Sequence, residues 1–411
     1  MSSLEARPSA EPCGAIGLPA SAVPAQMSDL LAPAARAAQV AYEAGDFNEA
    51  IALQKQLIAE AARLDQLRPD HYLALGMFLF ERGAFPESLG WMQKAAQIWP
   101  SNPEIAENSG VLLLRLNRWE EARKELERAL ALGSSSFNVL DSLCHCFGLL
   151  KDVAATQRYG RRVLEAKHEA SLTAGTKYPL PSQPPPRLAP MRNENIIAYS
   201  LWGNNPRYVT PLLENLKISP HLFPGWTVRV YMDKSVPDDV ISQLKRHGAD
   251  LVVDKTSEGE APFYARLLWR FEVANDSAVR RFLVRDADSL LTVKERVAVD
   301  AWLASDAYFH MMRDFYTHTD LMLAGMWGGT GNILPDIKKL WHAYRSPRMQ
   351  GRAADQRFLG DMVWPTVSQS CIVHDSVFTG CLGSVAFPPY GDLLPGHHIG
   401  QNAFIHFKRS Q

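Results

Sequence analysis

The apolar positions of this chain change their period near residue 193. From 31 to 172 they recur at helical spacing, and the small and aromatic positions repeat as well. Gly45-Asp46-Phe47-Asn48-Glu49-Ala50, Gly83-Ala84-Phe85-Pro86-Glu87-Ser88 and Asn117-Arg118-Trp119-Glu120-Glu121-Ala122 each set an aromatic three residues ahead of a small side chain. Phe85 and Trp119 lie 34 residues apart, as do Gly76 and Gly110, and Ala95 and Ala129. The step from Phe47 to Phe85 is 38, so four extra residues are expected in the first loop. A weaker fourth copy puts Cys144 and Thr156 in the two small positions. Each copy reads as two helices joined by a tight turn. Its small residues let the helices approach closely, and its aromatic fills the seam between neighbours.

After residue 193 short apolar runs alternate with helical stretches. Strands are expected at Ile196 to Leu201, Thr227 to Met232, Leu251 to Val253, Phe282 to Val284 and Tyr308 to Met312. Helices are expected near Tyr208 to Leu216, Asp238 to Arg246 and Phe263 to Ala274. This alternation implies an α/β unit with a parallel sheet covered on both faces, its ligands beyond the carboxyl ends of the strands.

The 34-residue period resembles the tetratricopeptide repeat, with three clear copies and a degraded capping one over residues 31–172; a plain helical bundle is the alternative. Residues 1–30, rich in Ala, Ser and Pro, read as a disordered lead-in. Residues 173–192, around Tyr178-Pro179-Leu180-Pro181-Ser182-Gln183-Pro184-Pro185-Pro186, read as a semi-rigid Pro-rich linker. The α/β half is then 193–411.

Composition narrows the function classes. Among 411 residues, 46% are hydrophobic and 21% charged, as in folded globular proteins. The formal net charge of -1 offers no basic excess for a nucleic-acid partner. No secretory signal or transmembrane stretch is expected. Cys13, Cys144, Cys146, Cys371 and Cys381 form no metal-binding pattern; Cys144 and Cys146 read as buried small residues. A reducing, cytoplasmic compartment fits this usage, with peripheral association at the inner membrane left open.

Candidate chemistry concentrates in Arg285-Asp286-Ala287-Asp288-Ser289, which follows directly on an apolar strand. Two carboxylates two residues apart can face one ion, and Mg2+ or Mn2+ prefers such oxygen ligands. A cation there would neutralise charge developing on a diphosphate leaving group. On its own the spacing also suits a solvated turn. Arg266 and Arg270, four apart, can share a helix face and reach a diphosphate, or form a surface ion-pair face. A phosphatase of the haloacid dehalogenase kind would need its acidic pair on the first strand, not the fourth.

Residues 195–404 resemble a bacterial group of glycosyltransferases of the GT-A fold, Rossmann-like and often joined to tetratricopeptide repeats. The resemblance runs through Asn204-Asn205-Pro206-Arg207-Tyr208, Pro224-Gly225-Trp226, the acidic motif, and Val299-Asp300-Ala301-Trp302-Leu303-Ala304-Ser305. It continues through His310-Met311-Met312-Arg313-Asp314, Ala324-Gly325-Met326-Trp327-Gly328, Asp355-Gln356-Arg357-Phe358-Leu359 and His374-Asp375-Ser376. The order is also similar to that of glycogenin and the lipopolysaccharide galactosyltransferases. The resemblance implies a metal-dependent hexosyl transfer from a nucleotide-diphosphate sugar to a hydroxyl of a polysaccharide, glycolipid or protein. It makes Asp286 and Asp288 ligands of Mn2+ or Mg2+. A third ligand is sought among three late histidines, His374, His397 and His398: His374 stands beside an acidic residue that could orient its ring, His397-His398-Ile399-Gly400-Gln401 resembles a His-x-Gly element, and His374 and His397 rank level. Gly325 would let the chain pass close to the donor sugar. Asp355 and Gln356 open a helix and could grip sugar hydroxyls, Asp355 being equally suited to capping that helix. Asp314, at a strand end, could act as base toward the acceptor. Tyr199 could stack on the nucleotide base, and Arg266, Arg270 and Arg285 belong to the donor side. The competing reading is a scaffold whose repeats bind protein partners while the transferase-like half is inert. In either case the repeats could present a protein acceptor or tether the chain to a polysaccharide assembly.

Overall fold

The turn chemistry of the repeats shows why the first part folds as helix pairs. In the computed structural model, which describes residues 31–185, 192–253, 263–344, 353–391 and 397–403, eight helices fill this region. They are α1 Ala32–Glu43, α2 Phe47–Arg63, α3 Pro69–Glu81, α4 Phe85–Ile98, α5 Pro103–Arg115, α6 Trp119–Ala131, α7 Phe137–Leu149 and α8 Val153–Ala174. The turns inside the four pairs carry left-handed residues at matching places: Gly45, Gly83, Asn117 and Lys151. Asp46 and Asn102 cap α2 and α5 through their side chains. The small positions do what their period implies. A Cβ on Gly76 would stand 2.8 Å from Met92 Cε, and one on Gly110 would stand 2.5 Å from Leu126 Cγ. In the fourth pair the Cys144 thiol donates to the Thr156 carbonyl at 3.4 Å. The four extra residues of the first copy do not enlarge a loop, as the sequence reading expected. They lengthen α2, which has 17 residues against 13 in α6. Four residues add about one turn and leave the buried face in phase. The lead-in 1–30, with Cys13, lies outside the described residues.

The chain divides into two compact units, one reaching Val163 and the other starting at Leu164, inside α8. The second unit is built on a seven-stranded sheet: β1 Asn195–Leu201, β2 Thr227–Met232, β3 Asp250–Val253, β4 Arg281–Val284, β5 Phe309–Arg313, β6 Trp327–Thr330 and β7 Cys371–Asp375. Their order is β3-β2-β1-β4-β6-β5-β7. Around the sheet run α9 Pro206–Leu222, α10 Asp238–Arg246, α11 Phe263–Leu268, α12 Val293–Leu303, α13 Ile337–Ala343, α14 Ala354–Phe358 and α15 Trp364–Val367.

Two expectations need correction. The sheet is mixed rather than parallel, because β6 is antiparallel to both β4 and β5. Residues 314–326 supply no crossover helix, so the chain can only return in the opposite sense. Two glycines admit β6: a Cβ on Gly328 would meet the Phe282 carbonyl at 2.5 Å, and one on Gly329 the Phe309 ring at 2.6 Å. The helix expected from Phe263 to Ala274 breaks after Leu268 and continues as a 3-10 turn, Trp269–Asn275.

The proline-rich stretch, as far as residue 185, is pinned to the second unit. Tyr178 N–H donates to Thr366 Oγ1 at 3.1 Å, Gln369 Nε2 donates to the Tyr178 carbonyl at 2.7 Å, and Tyr308 Oη donates to the Gln183 carbonyl. No helix among the described residues is long and apolar enough to cross a membrane.

Candidate functional site

The chain runs β1, β2, β3 outward and then returns to lay β4 on the other side of β1. That reversal opens a crevice beyond the carboxyl ends of β1 and β4, the place where open α/β sheets bind ligands. A cleft lies there, lined by Ser200 and Leu201 at the end of β1, Trp202 just after it, Tyr208 of α9, Leu267 of α11, Arg270, and Asp286–Asp288 after β4. The Arg285 N–H still bonds to the Ala198 carbonyl at 3.0 Å, so Asp286 is the first residue beyond the ladder.

Both carboxylates of the acidic motif face guanidinium groups. Asp288 Oδ2 accepts from Arg207 Nε and Nη2 at 3.0 and 2.8 Å. Asp286 pairs with Arg270, whose second arm reaches Asp355 Oδ2 at 3.1 Å. Burial, then the neighbouring Asp286, raises the Asp288 pKa against the pull of Arg207. Burial likewise pushes Asp355 up to about 6, although Arg270 opposes it. Gly325 lies against this pair, since a Cβ there would fall 2.0 Å from Asp286 Oδ2. Asp355 Oδ1 accepts the N–H of Gln356 at 2.9 Å, while Gln356 Oε1 is buried with no hydrogen-bond partner among the described residues.

Asp286, Asp288, Arg270, Gly325, Asp355 and Gln356 therefore come together. Arg266 stands at the same edge and pairs with Asp233 at 3.4 Å. Arg270 is 3% exposed, so the two arginines do not form a surface ion-pair face.

Other expected residues are placed elsewhere. Tyr199 is fully enclosed, in the core cluster with Leu212 and Val230, and offers no face for stacking a base. Arg285 is also buried; it donates to Glu295 Oε2 at 2.8 Å and to the carbonyls of Val284 and Trp327, and so supports the strand from beneath. His374 sits on β7, three strand spacings from β4, or about 14 Å. Its Nδ1 lies 2.8 Å from His310 Nε2, and burial holds it at a pKa of about 4. That separation keeps it from sharing an ion with Asp286 and Asp288. His397 is exposed, and the tail that carries it does reach the acidic motif, where the Ala403 N–H donates to the Asp288 carbonyl at 2.7 Å. Asp314 is buried at the end of β5, with Lys294 Nζ 2.9 Å from Oδ2 and Ile399 N–H on both oxygens.

Arg207 was visible within the Asn204–Tyr208 motif but carried no assigned role. Its position just after Asn205, which caps α9, was the available signal. Lys294, His318 and Asp233 were missed altogether, because each meets its partner only in the folded chain.

Residues 36–103 and 99–137 match the tetratricopeptide repeat model. The N-terminal helices are tetratricopeptide repeats, followed by a mixed-sheet region. No curated protein matches the chain. Among solved structures, the O-GlcNAc transferase of Thermobaculum terrenum is 17% identical, with 56% of this chain and 42% of that chain covered and a TM-score of 0.38. The MamA protein of Desulfovibrio magneticus is 15% identical, covering 36% of this chain and 84% of that one with a TM-score of 0.31. A tetratricopeptide protein of Thermus thermophilus is 19% identical, covering 31% and 69% with a TM-score of 0.27. The match thus spans about two fifths of the transferase's length, and likenesses this weak carry no functional argument.

Proposed function

We propose that the second unit, a GT-A-type domain, transfers a sugar from a nucleotide-diphosphate donor to an acceptor hydroxyl, with a divalent cation held by Asp286 and Asp288. The observation that carries this reading is the position of both carboxylates in a cleft at the reversal point of the sheet. The donor set suits Mn2+ or Mg2+: two carboxylates with no sulfur or imidazole between them, and a neighbouring residue, Gly325, that leaves no room for a side chain. When bound, the cation would neutralise charge on the departing diphosphate.

The protein's own groups have separate tasks. Arg270 is buried between Asp286 and Asp355 and fixes the distance between them. Arg207 and Arg270 supply positive charge where the phosphates would lie, and a low-dielectric edge strengthens those contacts. Gln356 offers a buried, unsatisfied amide oxygen suited to a sugar hydroxyl. Asp355, rather than the lysine-bound Asp314, stands beside the cleft groups as the carboxylate for acceptor or sugar. The repeats offer a surface for a protein partner or protein acceptor.

The test is a calorimetric and hydrolytic survey of nucleotide sugars with Mn2+. We expect one nucleoside diphosphate series to bind in a metal-dependent manner, and Asp286→Ala with Asp288→Ala to abolish that dependence. A folded wild type that binds no nucleoside diphosphate, with or without metal, would leave the scaffold reading in its place.

A further inference from the structure

The histidines and carboxylate at the end of β5 form a cluster that the transfer reaction does not use. Asp314, His318 and His398 each point one ligand atom inward, and these atoms all lie within 4.8 Å of one another. A tetrahedral ion with bonds of about 2 Å needs donors ~3.3 Å apart, so the three donors would draw together as the ion binds.

Hydrogen bonds fix the chemistry of the donors. A carbonyl can only accept, so the 2.8 Å contact of His398 Nδ1 with the Ile399 carbonyl places the ring proton on Nδ1. The lone pair of His398 is then on Nε2, and the ring is oriented as in metal-bound histidines. The Asp314 N–H donates to His318 Nδ1 at 3.2 Å, so that nitrogen carries a lone pair. The same Nδ1 lies 3.5 Å from Asp314 Oδ1, a second atom that only accepts. Both atoms already accept a backbone N–H, from Asp314 and Ile399 respectively, so a cation bound by Nδ1 would take the lone pair over from the Asp314 N–H. Lys294 is not that cation, because it binds the other oxygen, Oδ2, together with Ser376 Oγ at 3.1 Å. Phe315 stacks on His398 with ring centroids 4.2 Å apart and also meets His318 edge-on, which keeps the two imidazoles beside each other.

We propose that Asp314, His318 and His398 bind a divalent transition metal of the Zn2+ kind, at a site separate from the Asp286–Asp288 cleft. Two imidazoles and one carboxylate suit a borderline cation rather than Mg2+ or Ca2+. The strands leading to the two acidic sites, β4 and β5, are separated by β6, so their ends stand about 10 Å apart. Three protein ligands leave a fourth position for water or another small ligand.

The probe is Zn2+ itself, added to the chelator-stripped full chain and then dialysed. Bound metal is counted by elemental analysis and affinity is measured by competition with a chromophoric chelator. The wild type should retain one Zn2+ per chain, and so should the Asp286→Ala, Asp288→Ala variant, whatever becomes of its nucleotide binding. His318→Gln and His398→Gln should each weaken Zn2+ by more than roughly 10-fold, at least the loss seen on removing an outer partner of a zinc ligand. Unchanged far-ultraviolet circular dichroism shows that these variants still fold. The site is refuted if the wild type retains no Zn2+ or if both glutamine variants keep full affinity. Zinc lost with the two aspartates but kept in His318→Gln refutes it too, and would move His398 to the cleft.

Discussion

Asp286 and Gly325 share one small space, and that contact makes a sharp test of the cleft. A Cβ at 2.0 Å from Asp286 Oδ2 cannot be accommodated without turning the carboxylate away. We predict that Gly325→Ala lowers Mn2+-dependent nucleotide binding at least tenfold, as expected when a ligand is misdirected by about an ångström, while the thermal midpoint falls only slightly. Calorimetry and a melting curve separate the two effects. Asp355 gives the pH counterpart. Its pKa is raised from 3.8 to about 6, chiefly by burial. The folded chain therefore holds this proton more tightly than the unfolded chain. The stability gained from that tighter hold is fully present below the ordinary carboxylate range, and is lost as the pH rises through about 6. Urea unfolding of the wild type should thus lose about 2 kcal/mol between pH ~4 and ~7 relative to Asp355→Asn, which cannot titrate. Parallel pH profiles for the two proteins would show that Asp355 is not the group responsible.

At the scale of single elements, the repeat helices turn a sequence period into a packing distance. Gly110 of α5 faces Leu126 of α6 so closely that a methyl group would stand 2.5 Å from Leu126 Cγ and 3.3 Å from the Ala122 carbonyl. Gly110→Ala should therefore cost roughly 1–3 kcal/mol by overpacking, despite alanine's higher helix propensity. Gly90 lies in α4 with nothing within 4 Å of its Cβ position. There the same substitution should add about 0.5–1 kcal/mol, because only the propensity changes. Denaturant midpoints of the two variants should move in opposite directions. The same residues show what was legible in sequence. Gly76, Gly110 and Cys144 declared the helix seam because small residues at one spacing leave a periodic trace. β6 left no such trace, since its core is Gly328-Gly329, and glycine reads as turn unless the close neighbours Phe282 and Phe309 are known.

For the whole molecule, the legible features were local and the hidden ones convergent. The acidic motif announced itself by following an apolar strand. The bridge from Arg270 to Asp286 and Asp355 spans 16 and 85 residues, and no spacing rule connects them. The division of the chain was hidden in the same way. Helical periodicity assigned α8 to the repeats throughout, yet its last turns belong to the second unit, which starts at Leu164. Lys167 Nζ lies 2.8 Å from Asp320 Oδ1, Ser171 Oγ donates to the Gly360 carbonyl at 2.5 Å, and Trp364 Nε1 donates to His168 Nδ1 at 2.9 Å. A Cβ on Gly175 would collide with Pro365 Cγ at 2.5 Å, so the chain remains tightly packed past the end of the helix. Each buried or half-buried hydrogen bond contributes about 1 kcal/mol. A fragment that begins at residue 176, after α8, should thus be roughly 3 kcal/mol less stable than one that begins at 153, with the whole helix retained. Urea denaturation of the two fragments measures the difference. Equal midpoints would show that the end of α8 adds nothing to the second unit, and that the repeats can be removed at the proline-rich stretch without disturbing the cleft.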